Sequence, residues 1–160
     1  MDVSSSPLYC PIRKKWLANL PEERVRINLI HSMVSQLGYP AGNIVVERAL
    51  SELPHLLNTH LPPKRRTDII VYGKNIHPNH SLYPLLLIEC KSVPLTKQVI
   101  RQVIGYNQFV KAFYIGVVNQ SDSYFGYFEP EQADYSFHSL LPSYQELISH
   151  ISSRKTSLKF

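Results

Sequence analysis

The stretch Tyr83–Ser92, Tyr-Pro-Leu-Leu-Leu-Ile-Glu-Cys-Lys-Ser, constrains this chain more than any other. Its apolar run, Leu85 to Ile88, leads into an acid, a small residue and a base, the pattern of a strand buried on both faces with a charged end. Strand side chains alternate, so Glu89 and Lys91 share one side while Cys90 points to the other. Upstream, Thr67-Asp68-Ile69-Ile70-Val71-Tyr72 reads as a second β-branched strand, headed by an acid instead of ended by one. The turn formers of residues 73–81 predict an antiparallel hairpin that sets Asp68 beside Glu89 and Lys91. A solvated strand end explains Glu-x-Lys alone, but not the second acid brought to it. Two carboxylates held close repel, and a bound divalent cation relieves that cost.

The rest of the chain supplies a frame for this pair. A length of 160 residues, 44% hydrophobic and 18% charged, predicts one globular domain with an ordinary core. The formal net charge of +5 is a modest excess that suits a polyanionic partner. Two cysteines are too few for a disulfide framework or a zinc knuckle. No stretch is long and apolar enough to span a bilayer, and the amino terminus lacks a secretory pattern, so a cytoplasmic chain with no membrane role is expected. Residues 1–18 read as a basic amino-terminal arm, 19–152 as a single domain and 153–160 as a basic tail. In the arm, Arg13, Lys14 and Lys15 adjoin Trp16, a group suited to phosphates and a base. The simpler reading is a solvated cluster with Trp16 docked on the core.

A helix is predicted from an Asn19 cap, with Pro21 just inside and Glu22 and Glu23 in the first turn, where they suit the helix dipole. Val25, Leu29, Ile30, Met33 and Leu37 form its apolar stripe, and Gly38 stops it. Residues 43–50 read as a strand. Residues 51–64 read as a loop that ends in the basic triplet Lys64-Arg65-Arg66, placed to hold a phosphate backbone next to Asp68. A helix over 95–110, strands over 112–119 and 124–129, and a closing helix over 142–151 complete the order α-β-β-β-α-β-β-α. The helix between the third and fourth strands predicts a parallel crossover, hence an α/β fold with a mixed sheet and a helix on each face.

Asp68 followed by Glu89-Cys90-Lys91 resembles the signature of the PD-(D/E)XK nuclease superfamily, with Thr67 in place of the usual proline. Pro21-Glu22-Glu23-Arg24-Val25-Arg26, Leu37-Gly38-Tyr39-Pro40, Arg66-Thr67-Asp68-Ile69-Ile70-Val71-Tyr72, Gln102-Val103-x-x-Tyr106-Asn107 and Val118-Asn119 extend the likeness. Together they resemble the amino-terminal nuclease domain of type I restriction enzyme R subunits, in its short stand-alone form, over roughly residues 16–130. The resemblance implies a restriction-endonuclease-like fold and Mg²⁺-dependent DNA hydrolysis, with Mn²⁺ able to substitute. It implies that Asp68, Glu89 and the backbone carbonyl of Cys90 hold the metal, an oxygen donor set suited to a hard cation. Lys91 would orient the attacking water or stabilise charge on the phosphate. A first-helix acid would complete the site. Glu22 and Glu23 lie about 100° apart on the helix, so the wheel does not choose; Glu23 is favoured by the recurrence of Glu-Arg in related nucleases. Gln102 would hydrogen-bond near the metal, braced by Tyr106 one helical turn on.

No Gly-x-x-x-x-Gly-Lys-Ser/Thr loop is present, so an ATP-driven motor or a specificity protein is expected only in trans. Asn119-Gln120 stands where the family tends to have Asn-Gly, which affects only a loop. His77-x-x-His80 lacks further ligands at zinc spacing, and Cys90 is turned away from Lys91, so neither competes as a site. The alternative function is an accessory module that keeps the nuclease fold and binds nucleic acid without cutting.

Overall fold

The computed structural model describes residues 6–56 and 66–157. Its elements are β1 (Leu8–Cys10), β2 (Lys15–Leu17), α1 (Pro21–Ser35), β3 (Ile44–Ala49), β4 (Arg66–His77), β5 (His80–Cys90), α2 (Lys97–Val110), β6 (Tyr114–Val118), β7 (Ser123–Glu129), β8 (Asp134–Ser139) and α3 (Tyr144–Ser157). β3 to β8 form a six-stranded sheet in sequence order. Its pairs are antiparallel except β5–β6, which α2 joins as a parallel crossover. The fold is therefore mixed α/β, with helices flanking a sheet.

The two faces carry separate apolar layers. Ile27, Ile30 and Met33 of α1 and Leu147 and Ile151 of α3 pack with Ile69, Leu86 and Ile88. On the other face, Val103 and Val110 of α2 pack with Ile70, Leu87, Ile115 and Val117. Strand alternation thus sends Ile69 and Ile88 to one layer and Ile70 and Leu87 to the other, as expected for strands covered on both sides. Among the described residues, no helix is long and apolar enough to cross a membrane.

Several expectations are corrected. The predicted element order lacks three strands, β1, β2 and β8. β1 and β2 pair as a hairpin within the stretch read as an arm, and Cys10 of β1 is fully buried in the α1-side core. Trp16 is not docked on the core: it is 66% exposed. The expected loop over 73–81 is mostly strand, because β4 and β5 run on through a register shift near Val71 and another between Lys74 and His77, leaving only Pro78–Asn79 as the turn. α1 begins after Leu20 with no side-chain cap, and Asn19 instead accepts a 2.9 Å hydrogen bond from Nε of Arg24. α2 does carry a cap, the Thr96 hydroxyl accepting from the Val99 amide.

β8 joins the sheet through a contact that depends on a missing side chain. Gly126 pairs with Phe137, and a Cβ added at Gly126 would lie 2.6 Å from a ring carbon of Phe137. Gly126→Ala should therefore destabilise the protein by about 1–3 kcal/mol through overpacking, read as a lower urea midpoint at unchanged slope. An unchanged midpoint would mean that the Phe137 ring swings clear at no cost.

Candidate active site

The antiparallel register Ile69↔Ile88 places the start of β4 beside the end of β5. Asp68 and Glu89 are both buried there, each 8% exposed. Oδ2 of Asp68 accepts a 2.8 Å hydrogen bond from the Cys90 amide, tying the first acid to the second strand. The Lys91 ammonium lies 3.8 Å from Glu89 Oε1, and its amide donates to Val118 of the parallel neighbour β6. The hairpin and the crossover thus bring Asp68, Glu89 and Lys91 to one end of the central strands.

A guanidinium that sequence reasoning assigned no role stands at the centre. Arg26 of α1 is buried, donating from Nη2 to Asp68 Oδ1 at 2.5 Å and from Nη1 to Glu23 Oε2 at 2.7 Å and Glu47 Oε1 at 3.2 Å. Burial works to lower its pKa, but the charge and hydrogen bond of Asp68, then the charges of Glu23 and Glu47, more than reverse this, and the net shift is upward. Arg13, from the β1–β2 turn, pairs with Glu23 and, at 3.2 Å, with Glu47. Glu47 itself interrupts β3. Val46 pairs with Ile69 and Arg48 with Thr67, while Glu47, between them, takes a left-handed φ of +52° and makes no ladder pair. The signal for Arg26 was present as Glu22-Glu23-x-x-Arg26, but that spacing reads as an ordinary helix salt bridge. Nothing in the sequence marked Glu47.

The two α1 acids differ. Glu23 is nearly buried between Arg13 and Arg26. Glu22 is half-exposed, 3.9 Å from Arg26, and its charge acts on Glu89. Gln102 is exposed on α2, with no hydrogen bond to Asp68, Glu89 or Lys91. Tyr106 is half-buried against the α2-side core. Lys64 and Arg65 lie outside the described residues; Arg66 is exposed at the start of β4. Cys90 is fully buried, and burial, with the nearby Asp68 charge, pushes its thiol pKa well up, which leaves it inert as a nucleophile. His77 and His80 close the far hairpin turn, their ring centroids 4.9 Å apart.

Asp68 has Arg26 for charge compensation; Glu89 has only the more distant Lys91. Burial first, then the Asp68 charge, push the Glu89 carboxyl up to about 8, with Lys91 pulling the other way. A carboxylate pair with this unmet negative charge and only oxygen donors fits a hard divalent cation. Asp68 and Glu89 would hold it, together with the Cys90 carbonyl. Among the described residues, no group of three or more His, Cys, Asp or Glu side chains is arranged to hold a metal, so backbone and water oxygens would have to complete such a site.

A family model for the type I restriction enzyme R protein N terminus (HSDR_N) matches residues 21–142. That is most of the chain, and the chain belongs to this family. Membership supports a PD-(D/E)XK-like nuclease superfamily fold. No curated protein and no solved structure matches the chain.

The raised Glu89 pKa has a measurable consequence. The folded state keeps this proton above the ordinary carboxylate pKa of 4.5, up to about 8, so between those values it binds more protons than the unfolded state. Stability contributed by the protonated group is complete at low pH and is lost as pH rises through the window. In EDTA, the melting temperature should fall across it, and Glu89→Gln should remove much of that slope. Equal slopes in the two proteins would contradict the assignment.

Proposed function

We propose that this domain hydrolyses DNA phosphodiester bonds in a divalent-metal-dependent reaction, with Asp68, Glu89 and Lys91 as its centre. The observation that carries the reading is the burial of Asp68 and Glu89 side by side at a strand end, with the Lys91 ammonium 3.8 Å from Glu89. When bound, Mg²⁺ or Mn²⁺ would supply Lewis-acid stabilisation of the phosphate charge. Lys91, only partly exposed, is the cation that can donate to an oxygen of the reacting phosphate as negative charge builds there. Arg26 orients Asp68 by holding Oδ1, while the Cys90 amide holds Oδ2. Glu23, engaged by Arg13 and Arg26, acts in this reading by fixing Arg26; Glu22 is then the helix acid nearest in effect to Glu89. Gln102 would act only after turning toward a bound phosphate, braced by Tyr106. Lys64, Arg65 and Arg66 would hold the DNA backbone. A cytoplasmic setting and a motor or specificity partner in trans belong to the same proposal.

A second reading, a nucleic-acid-binding module that does not cut, is favoured by one feature. Both oxygens of Asp68 already have partners, so a cation must share or displace one of them.

Lys91→Ala separates the two. Cleavage by the wild-type chain should appear with Mg²⁺ or Mn²⁺ on at least one of linear, nicked, branched or single-stranded DNA. The variant should lose roughly 10²–10³-fold in cleavage rate while DNA affinity is unchanged, the pattern of an interaction made in the transition state. Binding without cleavage of any form by the wild type would favour the accessory module. Full activity in the variant would remove Lys91 from the reaction.

A further inference from the structure

The β1–β2 hairpin precedes the residues matched by the family model and carries an unexplained surface. Tyr9 and Trp16 face each other across its two strands, ring centroids 5.2 Å apart, at 42% and 66% exposure. The opposite face is anchored: Cys10 is fully buried, and Leu8, Ile12 and Leu17 pack against the α1-side core. The aromatic pair therefore sits on a support fixed by its own back face. Lys14, in the turn, and Lys15, which pairs with Cys10 on the face away from the rings, are both exposed. Between the hairpin and the edge strand β3 runs a cleft of about 510 Å³, with Lys15, Arg48 and Arg66 on its walls against Glu52. Arg13 and Glu47 also line it. Ion pairs connect this wall to the acids: Arg13 with Glu47, Glu47 with Arg26, and Arg26 with Asp68.

The chemistry of this surface selects its occupant. Tyrosine and tryptophan are enriched at protein interfaces and on single-strand platforms alike, but lysine is depleted at protein-interface cores, and a positively charged groove combined with stacking rings is the composition of single-strand binders. Bases within a duplex are already stacked and offer an exposed ring pair no face; unpaired bases do. We propose that Tyr9 and Trp16 stack unpaired nucleotides whose backbone continues over the hairpin edge to Lys15, Arg48 and Arg66 in the cleft. The substrate class becomes DNA with a single-stranded segment, such as an overhang, flap or branch. This specification rests on the nuclease reading, but the binding site itself does not need cleavage to be detected.

Trp16 is the only tryptophan of the chain, so its fluorescence reports on this site alone. In EDTA, where a metal-dependent reaction cannot proceed, a short oligo-dT should quench it saturably, and added salt should reverse the quenching. A blunt duplex of the same length should quench it little. By anisotropy of a labelled oligo-dT, Trp16→Ala should weaken binding roughly 5- to 150-fold, Trp16→Phe should retain most of the affinity, and blunt-duplex affinity should not change. Both variants alter an exposed side chain, and their melting curves check folding. Binding of oligo-dT as described without cleavage of any DNA would support the platform and sink the nuclease reading. Cleavage of DNA without Trp16 quenching, or equal oligo-dT affinity in Trp16→Ala, would overturn the platform. A Trp16-dependent dimer in sedimentation would overturn it as well, by assigning the ring pair to a second copy of the chain.

Discussion

The buried guanidinium of Arg26 is the constraint on which the rest of the site depends. A charge taken out of water costs several kcal/mol unless it is paired and hydrogen-bonded. Arg26 meets this with Asp68, Glu23 and Glu47, drawn from β4, α1 and β3. Such a network adds little stability over an apolar substitute, and here its hydrogen bonds join α1, β3 and β4. Without Arg26, the buried Asp68 would lose its guanidinium, and Glu23 and the partly exposed Glu47 would be left with Arg13. The left-handed conformation of Glu47, a cost of order 1–3 kcal/mol for such a residue, accompanies a carboxylate that bridges Arg26 and Arg13. Arg13 in turn ties the hairpin to the same network, so the amino-terminal residues are part of the site's support.

The pairing also divides the two acids by role. Asp68 has its charge matched by a guanidinium and its second oxygen held by a backbone amide. Glu89, equally buried, has a lysine at 3.8 Å for positive charge, and burial with the charge and hydrogen bond of Asp68 pushes it toward its neutral form. One carboxylate is thus fixed and the other is short of positive charge. A small hard cation would answer that deficit by sharing or displacing one partner of Asp68, while both acids stay on central strands packed on two sides.

Much of this was legible in the sequence, and the parts that were not have physical reasons. Leu85 to Ile88 and Ile69 to Tyr72 are apolar enough to be read only as buried strands, and an acid at the head of one and the end of the other sets their meeting. The sequence could not show which α1 acid faces inward, since Glu22 and Glu23 flank the apolar stripe on either side and the choice is made by Arg13, which arrives from another element. Glu47 looks like a routine exposed position in an alternating strand, and its conformation depends on tertiary partners. β1 and β2, three residues each, are too short for any period to register. β8, Asp-Tyr-Ser-Phe-His-Ser, alternates only weakly and is held by Phe137 lying across Gly126. Trp16 misled in a different way: burial is the default for a tryptophan, and only the hairpin's register turns this one outward.

Whether Asp68 and Glu89 share one cation is read from Mn²⁺ binding followed by electron paramagnetic resonance. The wild-type chain should take up one Mn²⁺, displaced by Mg²⁺, and Glu89→Gln should weaken uptake by more than roughly tenfold while remaining folded. Equal Mn²⁺ binding by the two proteins, or none by the wild type, would mean that Asp68 and Glu89 do not form a cation site.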